Sequence, residues 1–264
     1  MSVQPKDARV LITGAGSGIG AATALRYAKK GAHVVAVDID GDAAEAIAAT
    51  CGSVGPAARA HACDVADAEA MLALADEVGE VDVLVNNAGV GIAGPFLDAT
   101  LEDWEWLRSI NLDGVVHGVR AFVPGMLERR RGHVVNIASG AAYIPHRSLA
   151  AYCATKSAVL MLSQCLRADW ASRKVGVSVI CPGVIDTPIA KNTRMVGRAQ
   201  RRRSQAISAL RMGHSPDLVA KAIVNAAAKN QDIVPVGIES TLAFRVLRLA
   251  PGPIQGYVAR AGVI

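Results

Sequence analysis

Short runs of β-branched residues alternate along the chain with longer alanine-rich stretches, and this alternation predicts most of the architecture. Candidate strands fall at 9–13, 33–37, 57–62, 81–86, 132–138, 175–181 and 232–235. Between them lie helical candidates near 18–30, 41–50, 67–78, 101–128, 151–173 and 216–229. Strand–helix alternation sustained over about 230 residues predicts an α/β fold with a doubly wound parallel sheet. No internal repeat, low-complexity tract or linker interrupts it, so residues 1–264 are expected to form a single domain. Thr100-Leu101-Glu102-Asp103 has the form of a helix start, with an acidic first turn. Residues 187–215 and 238–264 break the alternation. They are expected to form a mobile substrate cover and a C-terminal extension.

Composition narrows the class. The 264 residues are 52% hydrophobic but only 4% aromatic, so Ala, Val, Leu and Ile must supply the core. That suits helices packed on a buried parallel sheet. No apolar run reaches the roughly 18 residues of a membrane span, and Met1–Asp7 lacks the apolar stretch of a signal peptide. Five cysteines (Cys51, Cys63, Cys153, Cys165, Cys181) form no Cys-x-x-Cys pair, an odd set that predicts reduced thiols in a cytoplasmic protein. The net charge of +5 is local: residues 187–216 carry seven Lys/Arg and no Asp or Glu. No zinc finger, RNA-recognition signature or aromatic-interleaved basic surface accompanies them, so no nucleic-acid partner is expected. The six histidines lack ligand spacing, and no metal is expected.

Candidate chemistry begins at the first strand. Val10-Leu11-Ile12-Thr13-Gly14-Ala15-Gly16-Ser17-Gly18-Ile19-Gly20 reads as a strand, a turn of alternating glycines and a helix. Glycines let the backbone approach a pyrophosphate, and the helix N-terminus offers unpaired N–H groups and a favourable dipole. Asp38 closes the second strand eighteen residues beyond Gly20. A carboxylate there accepts hydrogen bonds from ribose hydroxyls and repels a 2′-phosphate. Ser17 stands in the turn where a Lys or Arg could have met that phosphate. Together they predict NAD over NADP, although Asp38 is also placed to cap the helix at 41–50. Further on, Tyr152 and Lys156 are four apart, on one face of a helix. A cation so placed favours phenolate, which would let a hydroxyl of reference pKa about 10 act as acid or base near neutrality.

These features resemble the short-chain dehydrogenase/reductase family, a Rossmann-fold family, over residues ~8–236. Thr13-Gly14-x-x-x-Gly18-x-Gly20 is similar to its cofactor turn, and Asn86-Asn87-Ala88-Gly89 to the motif that ends its fourth strand. The resemblance implies a catalytic set of Asn111, Ser139, Tyr152 and Lys156. Tyr152 would exchange a proton with the substrate oxygen and Ser139 would stabilise that oxygen. Lys156 would lower the Tyr152 pKa and hold a ribose, and Asn111 would hold a water leading from Lys156 to bulk. It also implies cofactor contacts from Gly14, Ser17, Gly18, Ile19, Gly20, Asp38, Asp64, Val65, Asn87, Ala88 and Gly89. Tyr152, Lys156, Pro182, Gly183, Ile185 and Thr187 complete that set, with Thr187 at the nicotinamide carboxamide. A homotetramer, or a homodimer, is implied as well. As plainer readings, Ser139 would be a strand-end turn residue and Asn111 a locally satisfied polar residue in a helix.

The substrate is less defined. Segments expected around it contribute Ile92, Phe96, Tyr143, Ile144, Val184 and Ile189, with few charges, so a lipophilic alcohol or ketone is expected. His146 and Arg147 are candidates for a polar end. The basic segment at 187–216 suits an acidic substrate group, an anionic membrane surface or a plain solvated face, and the last is favoured over peripheral membrane contact. The expected activity is therefore NAD(H)-dependent interconversion of a secondary alcohol and a ketone. Its rivals are a 3-oxoacyl-thioester reductase using NADPH and a non-catalytic dinucleotide sensor.

Overall fold

The computed structural model describes residues 2–143, 145–202 and 211–246, together with 204, 208 and 251. Its centre is a parallel sheet of β1 (Arg9–Thr13), β2 (His33–Asp38), β3 (Arg59–Ala62), β4 (Val83–Asn86), β6 (Gly132–Ile137), β7 (Val175–Pro182) and β9 (Ile233–Val236), in the order β3-β2-β1-β4-β6-β7-β9. Successive residues of a strand point to opposite faces, and here both faces are covered. Val10 and Ile12 of β1 enter one apolar cluster with Val83 and Val85 of β4, while Leu11 and Leu84 enter another. Helices α1 (Gly18–Ala28), α2 (Gly41–Gly52) and α7 (Pro216–Lys229) supply the first cluster through residues such as Tyr27, Ile47 and Ile223. Helices α3 (Ala68–Val78) and α5 (Gly114–Glu128) supply the second through Met71, Leu74, Phe122 and Met126. Each fully buried Val, Leu or Ile contributes roughly 1.5–3 kcal/mol, so a core with few aromatics is adequate. This is the predicted doubly wound α/β architecture.

Chain order reverses between β1 and β4; β1 pairs in parallel with β2 on one side and β4 on the other, as in Leu11↔Val35 and Leu11↔Leu84. In such sheets ligands bind beyond the carboxyl ends of the strands at that reversal. α6 (Ala150–Asp169), which carries Tyr152 and Lys156, is fixed to the sheet there by a buried polar chain. Asn86 Nδ2 donates to Asn136 Oδ1 at 2.8 Å, and Asn136 Nδ2 donates to Ser163 Oγ at 2.9 Å. None of the described helices is long and apolar enough to cross a membrane.

One expectation is corrected, and two segments gain detail. The helix predicted over 101–128 is two helices, α4 (Leu101–Arg108) and α5, joined by a π-helical turn at Ser109–Asp113. Its predicted start holds: Thr100 Oγ1 accepts from Asp103 N while the Asp103 carboxylate accepts from Thr100 N. The expected cover at 187–215 is partly ordered sheet, since β8 (Thr193–Met195) pairs in parallel with β5 (Gly91–Ala93). The start of the expected C-terminal extension is a helix, α8 (Ile238–Val246). Residues 203, 205–207, 209–210, 247–250 and 252–264 of those two segments lie outside the described residues.

Candidate active site

Beyond Thr13 the chain turns sharply and enters α1. Gly14 (φ +63°) and Gly18 (φ +52°) hold left-handed conformations that favour glycine. A side chain on Gly14 would also stand 2.9 Å from Ala88 Cα, and one on Gly20 would overlap the Gly14 carbonyl oxygen. The turn is locked to the end of β4: Thr13 Oγ1 accepts from Asn87 N at 3.0 Å and Ala88 N at 3.1 Å. Asn87 Nδ2 returns bonds to Thr13 O at 2.9 Å and Gly14 O at 3.0 Å. Ser17 is the N-cap of α1 and makes no side-chain cap, so the first-turn N–H groups face outward with the positive end of the helix.

Asp38 sits against this turn. Its Oδ2 accepts from Gly16 N at 2.8 Å and its Oδ1 from Asp40 N at 3.1 Å. Of its two predicted roles the helix cap is excluded: Asp40 caps α2, accepting from Ala43 N at 3.1 Å. Asp64 and Val65 follow β3, where His117 Nδ1 on α5 lies 2.9 Å from Val65 O.

The second half of the site gathers around α6. Ser139 follows β6, where its Oγ accepts from Ala141 N at 3.2 Å and hydrogen-bonds the Tyr152 hydroxyl. Lys156 is 4% exposed; its Nζ donates to Ile137 O at 2.9 Å and lies 5.9 Å from the Tyr152 ring centroid. Burial pushes the Lys156 pKa down to about 8. The expected depression of Tyr152 by Lys156 is not what this geometry gives. Burial raises the phenol, the Ser139 hydrogen bond offsets part of that, and nearby Cys153 raises it further. Desolvation outweighs the single hydroxyl partner.

Asn111 lies in the π turn, fully buried. Its Oδ1 accepts from Val90 N at 2.9 Å, and its Nδ2 donates to Val90 O at 3.0 Å and Thr155 Oγ1 at 3.3 Å. It therefore braces the chain after β4 against α6. A side chain on Gly89 would stand 3.3 Å from Asn111 Oδ1 and 3.4 Å from Lys156 Nζ, so glycine leaves the space between them open.

The glycine turn, Asp38, Ser139, Tyr152 and Lys156 open on one cleft of about 470 Å³. Of the predicted site residues only Gly20 and Asn111 lie off its wall, in the packing behind it; Ser17, Ile19, Pro182, Gly183, Ile185 and Thr187 all line it. Among the expected substrate residues, Ile92, Val184 and Ile189 line the cleft, as does His146. Phe96, Tyr143 and Arg147 do not. Phe96 is 57% exposed and packs edge-on against Trp104, with ring centroids 5.8 Å apart. Tyr143 turns away to bond Ser240 O at 3.0 Å and to pack against Phe244. Ile144 lies outside the described residues. Sequence reasoning missed Leu149, Asn192, Thr193, Glu239 and Ser240, which all line the cleft. The last two come from α8, and a Gly-x-Glu-Ser helix start was their only local signal. Within the basic segment, Arg194 pairs with Asp103 at 3.0 Å and stacks 3.8 Å above the Trp106 ring.

Comparison with known proteins agrees with this geometry. Residues 8–196 match the profile of a family described as short chain dehydrogenase. The chain is 43% identical over 271 residues to the probable oxidoreductase EphD of Mycobacterium tuberculosis, covering 98% of this chain and 45% of the relative. It thus spans about half the length of the first curated relatives it matches. It is 45% identical over 183 residues to the D-threitol dehydrogenase of Mycolicibacterium smegmatis, covering 68% and 70% of the two chains. A short-chain dehydrogenase/reductase from Burkholderia phymatum, solved in complex with NAD, superposes with a TM-score of 0.86 at 31% identity, covering 97% and 96%. Other structural neighbours include complexes with NADP as well as NAD.

Proposed function

Because the chain belongs to the short-chain dehydrogenase family, we propose that it is an NAD(H)-dependent oxidoreductase interconverting a secondary alcohol and a ketone on a lipophilic small molecule. One observation carries the reading. The Tyr152 hydroxyl, bonded to Ser139 and backed by Lys156, opens into the same cleft as the Gly14–Ile19 turn.

The residues fit a dinucleotide. A turn that excludes side chains at Gly14 and an uncapped helix N-terminus form a pyrophosphate cradle. Asp38, at the end of β2, is the partner for the adenosine ribose, with Asp64 and Val65 toward the adenine. When bound, the nicotinamide supplies the hydride acceptor or donor. The protein's own contribution is proton transfer and electrostatics. Tyr152 exchanges its hydroxyl proton with the substrate oxygen, and Ser139 steadies that oxygen as charge develops on it. Lys156 donates to Ile137 O and places a cation beside the phenol. Gly89 keeps open the space between Lys156 and Asn111, where a water completes the proton route.

Asp38 favours NAD, since a carboxylate already accepting from Gly16 N has no favourable contact for a 2′-phosphate. The lipophilic substrate class rests on Val90, Ile92, Leu149, Val184 and Ile189 along the cleft. A polyol is the competing class, favoured by the polar Asn192 and Thr193 in the same wall and by the threitol-oxidising relative. The reading also places a homotetramer in the cytoplasm, on family resemblance and cysteine usage. A panel of apolar secondary alcohols, their ketones and small polyols, followed by NADH and NADPH absorbance, separates these readings. Turnover fastest with NADH and apolar ketones is expected. Preference for NADPH would refute the cofactor assignment, and preference for polyols the substrate class.

A further inference from the structure

The Glu239 carboxylate joins three segments that are distant in sequence. Its Oε1 accepts the backbone N–H of Val184 at 2.7 Å, and its Oε2 lies 3.0 Å from His214 Nε2. His214 is itself laddered onto the Val184 segment. Its N–H donates to Val184 O and its carbonyl accepts from Asp186 N, both at 2.9 Å. The carboxylate is built into its place: a side chain on Gly183 would overlap Oε1, and one on Gly237 (φ +94°) would stand 2.7 Å from it. Burial alone would raise its pKa. Its own backbone N–H, that of Val184 and the His214 side chain together hold it below its ordinary value.

The segment so held leaves the end of the sheet, with Ile185 buried in the core. β7 pairs with β9 as far as Pro182↔Val236, with a last bond from Gly183 N to Val236 O. From Val184 onward Glu239 and His214 take over. The neighbouring Ser240 reinforces the joint, donating to Cys181 O at 2.7 Å. Glu239, Gly183, Val184 and Ile185 all line the cleft.

We propose that Glu239 is a positioning residue: its carboxylate clamps residues 182–186 to α8 and to the His214 segment, in the conformation that receives the nicotinamide end of the dinucleotide. This inference rests on the function proposed above. It assigns α8 a part in cofactor placement that the sequence motifs do not carry. ADP-ribose, which lacks the nicotinamide, provides the discriminating probe, because a general loss of structure weakens both ligands whereas loss of the clamp weakens only the longer one.

Fluorescence titration of the full chain with NADH and with ADP-ribose tests this in Glu239→Ala, Glu239→Gln and wild type. Glu239→Ala is expected to weaken NADH binding roughly tenfold, the scale of a lost charge-assisted hydrogen bond, with ADP-ribose affinity unchanged. Glu239→Gln keeps an acceptor for Val184 N–H, so it should recover part of that loss. If the alanine variant does not fold, the glutamine variant carries the same comparison, with a loss of about threefold on NADH alone. Equal weakening of both ligands, unchanged NADH affinity, or a rise confined to the ketone KM would overturn the clamp. Wild type binding neither nucleotide would instead refute the dinucleotide reading, and the clamp with it.

Discussion

Lys156 shows how a single residue trades stability for chemistry. The ammonium is buried with one backbone acceptor, Ile137 O, and its pKa falls from 10.5 to about 8. Between those values the unfolded chain holds a proton that the folded chain has released, so this residue's contribution to stability rises with pH across pH 8–10.5. Below pH 8 the buried charge costs on the order of 3 kcal/mol. Lys156→Met is therefore expected to lose activity yet gain stability relative to wild type at pH 7, with that advantage shrinking as the pH is raised through 8 to 10. Urea unfolding of both proteins at pH 7, 8 and 9.5 checks it, and an advantage that stays flat with pH would contradict it. At this scale the candidate catalytic pair was legible because Tyr152 and Lys156 share one helix, where spacing alone fixes the face. Glu239 was not. Its partners are 55 and 25 positions away, and nothing local marks a carboxylate whose neighbours are created by the tertiary fold.

Elements were predicted well where one rule governs them and poorly where two compete. The strands of the central sheet were legible because burial on both faces demands β-branched residues, as in Val34–Val37. The π turn at Ser109–Asp113 was not, because its sequence, Ser-Ile-Asn-Leu-Asp, carries no helix breaker. What inserts the extra residue is tertiary: Asn111 reaching Val90 and Thr155. π turns of this kind are frequent at functional sites. The glycine turn gives a testable case at the same scale. α1 lies so close to the turn that a methyl group on Gly20 would overlap Gly14 O. Gly20→Ala should cost about 1–3 kcal/mol through overpacking and weaken dinucleotide binding, because relieving the overlap displaces the cradle. Thermal unfolding with and without NADH measures both effects; an alanine variant as stable as wild type would show that the close approach is not required.

At the scale of the whole molecule, the sheet order places the end of β1, the Asp38 end of β2 and the end of β4 beside one cleft, and β6 and α6 bring Ser139 and Tyr152 to its other part. The sequence supplied these pieces in order, and the topology explains why they meet. It said less about the part of the cleft wall contributed by β5, β8 and α8, short elements whose placement no local pattern announces. The central claim is that Tyr152 performs proton transfer beside a bound dinucleotide, and Tyr152→Phe tests it most directly. The substitution removes one hydroxyl from a half-buried ring. NADH affinity should stay within about twofold of wild type, while ketone turnover should fall roughly 10²–10⁴-fold, the usual worth of a general acid. Turnover retained alongside intact NADH binding would contradict the account.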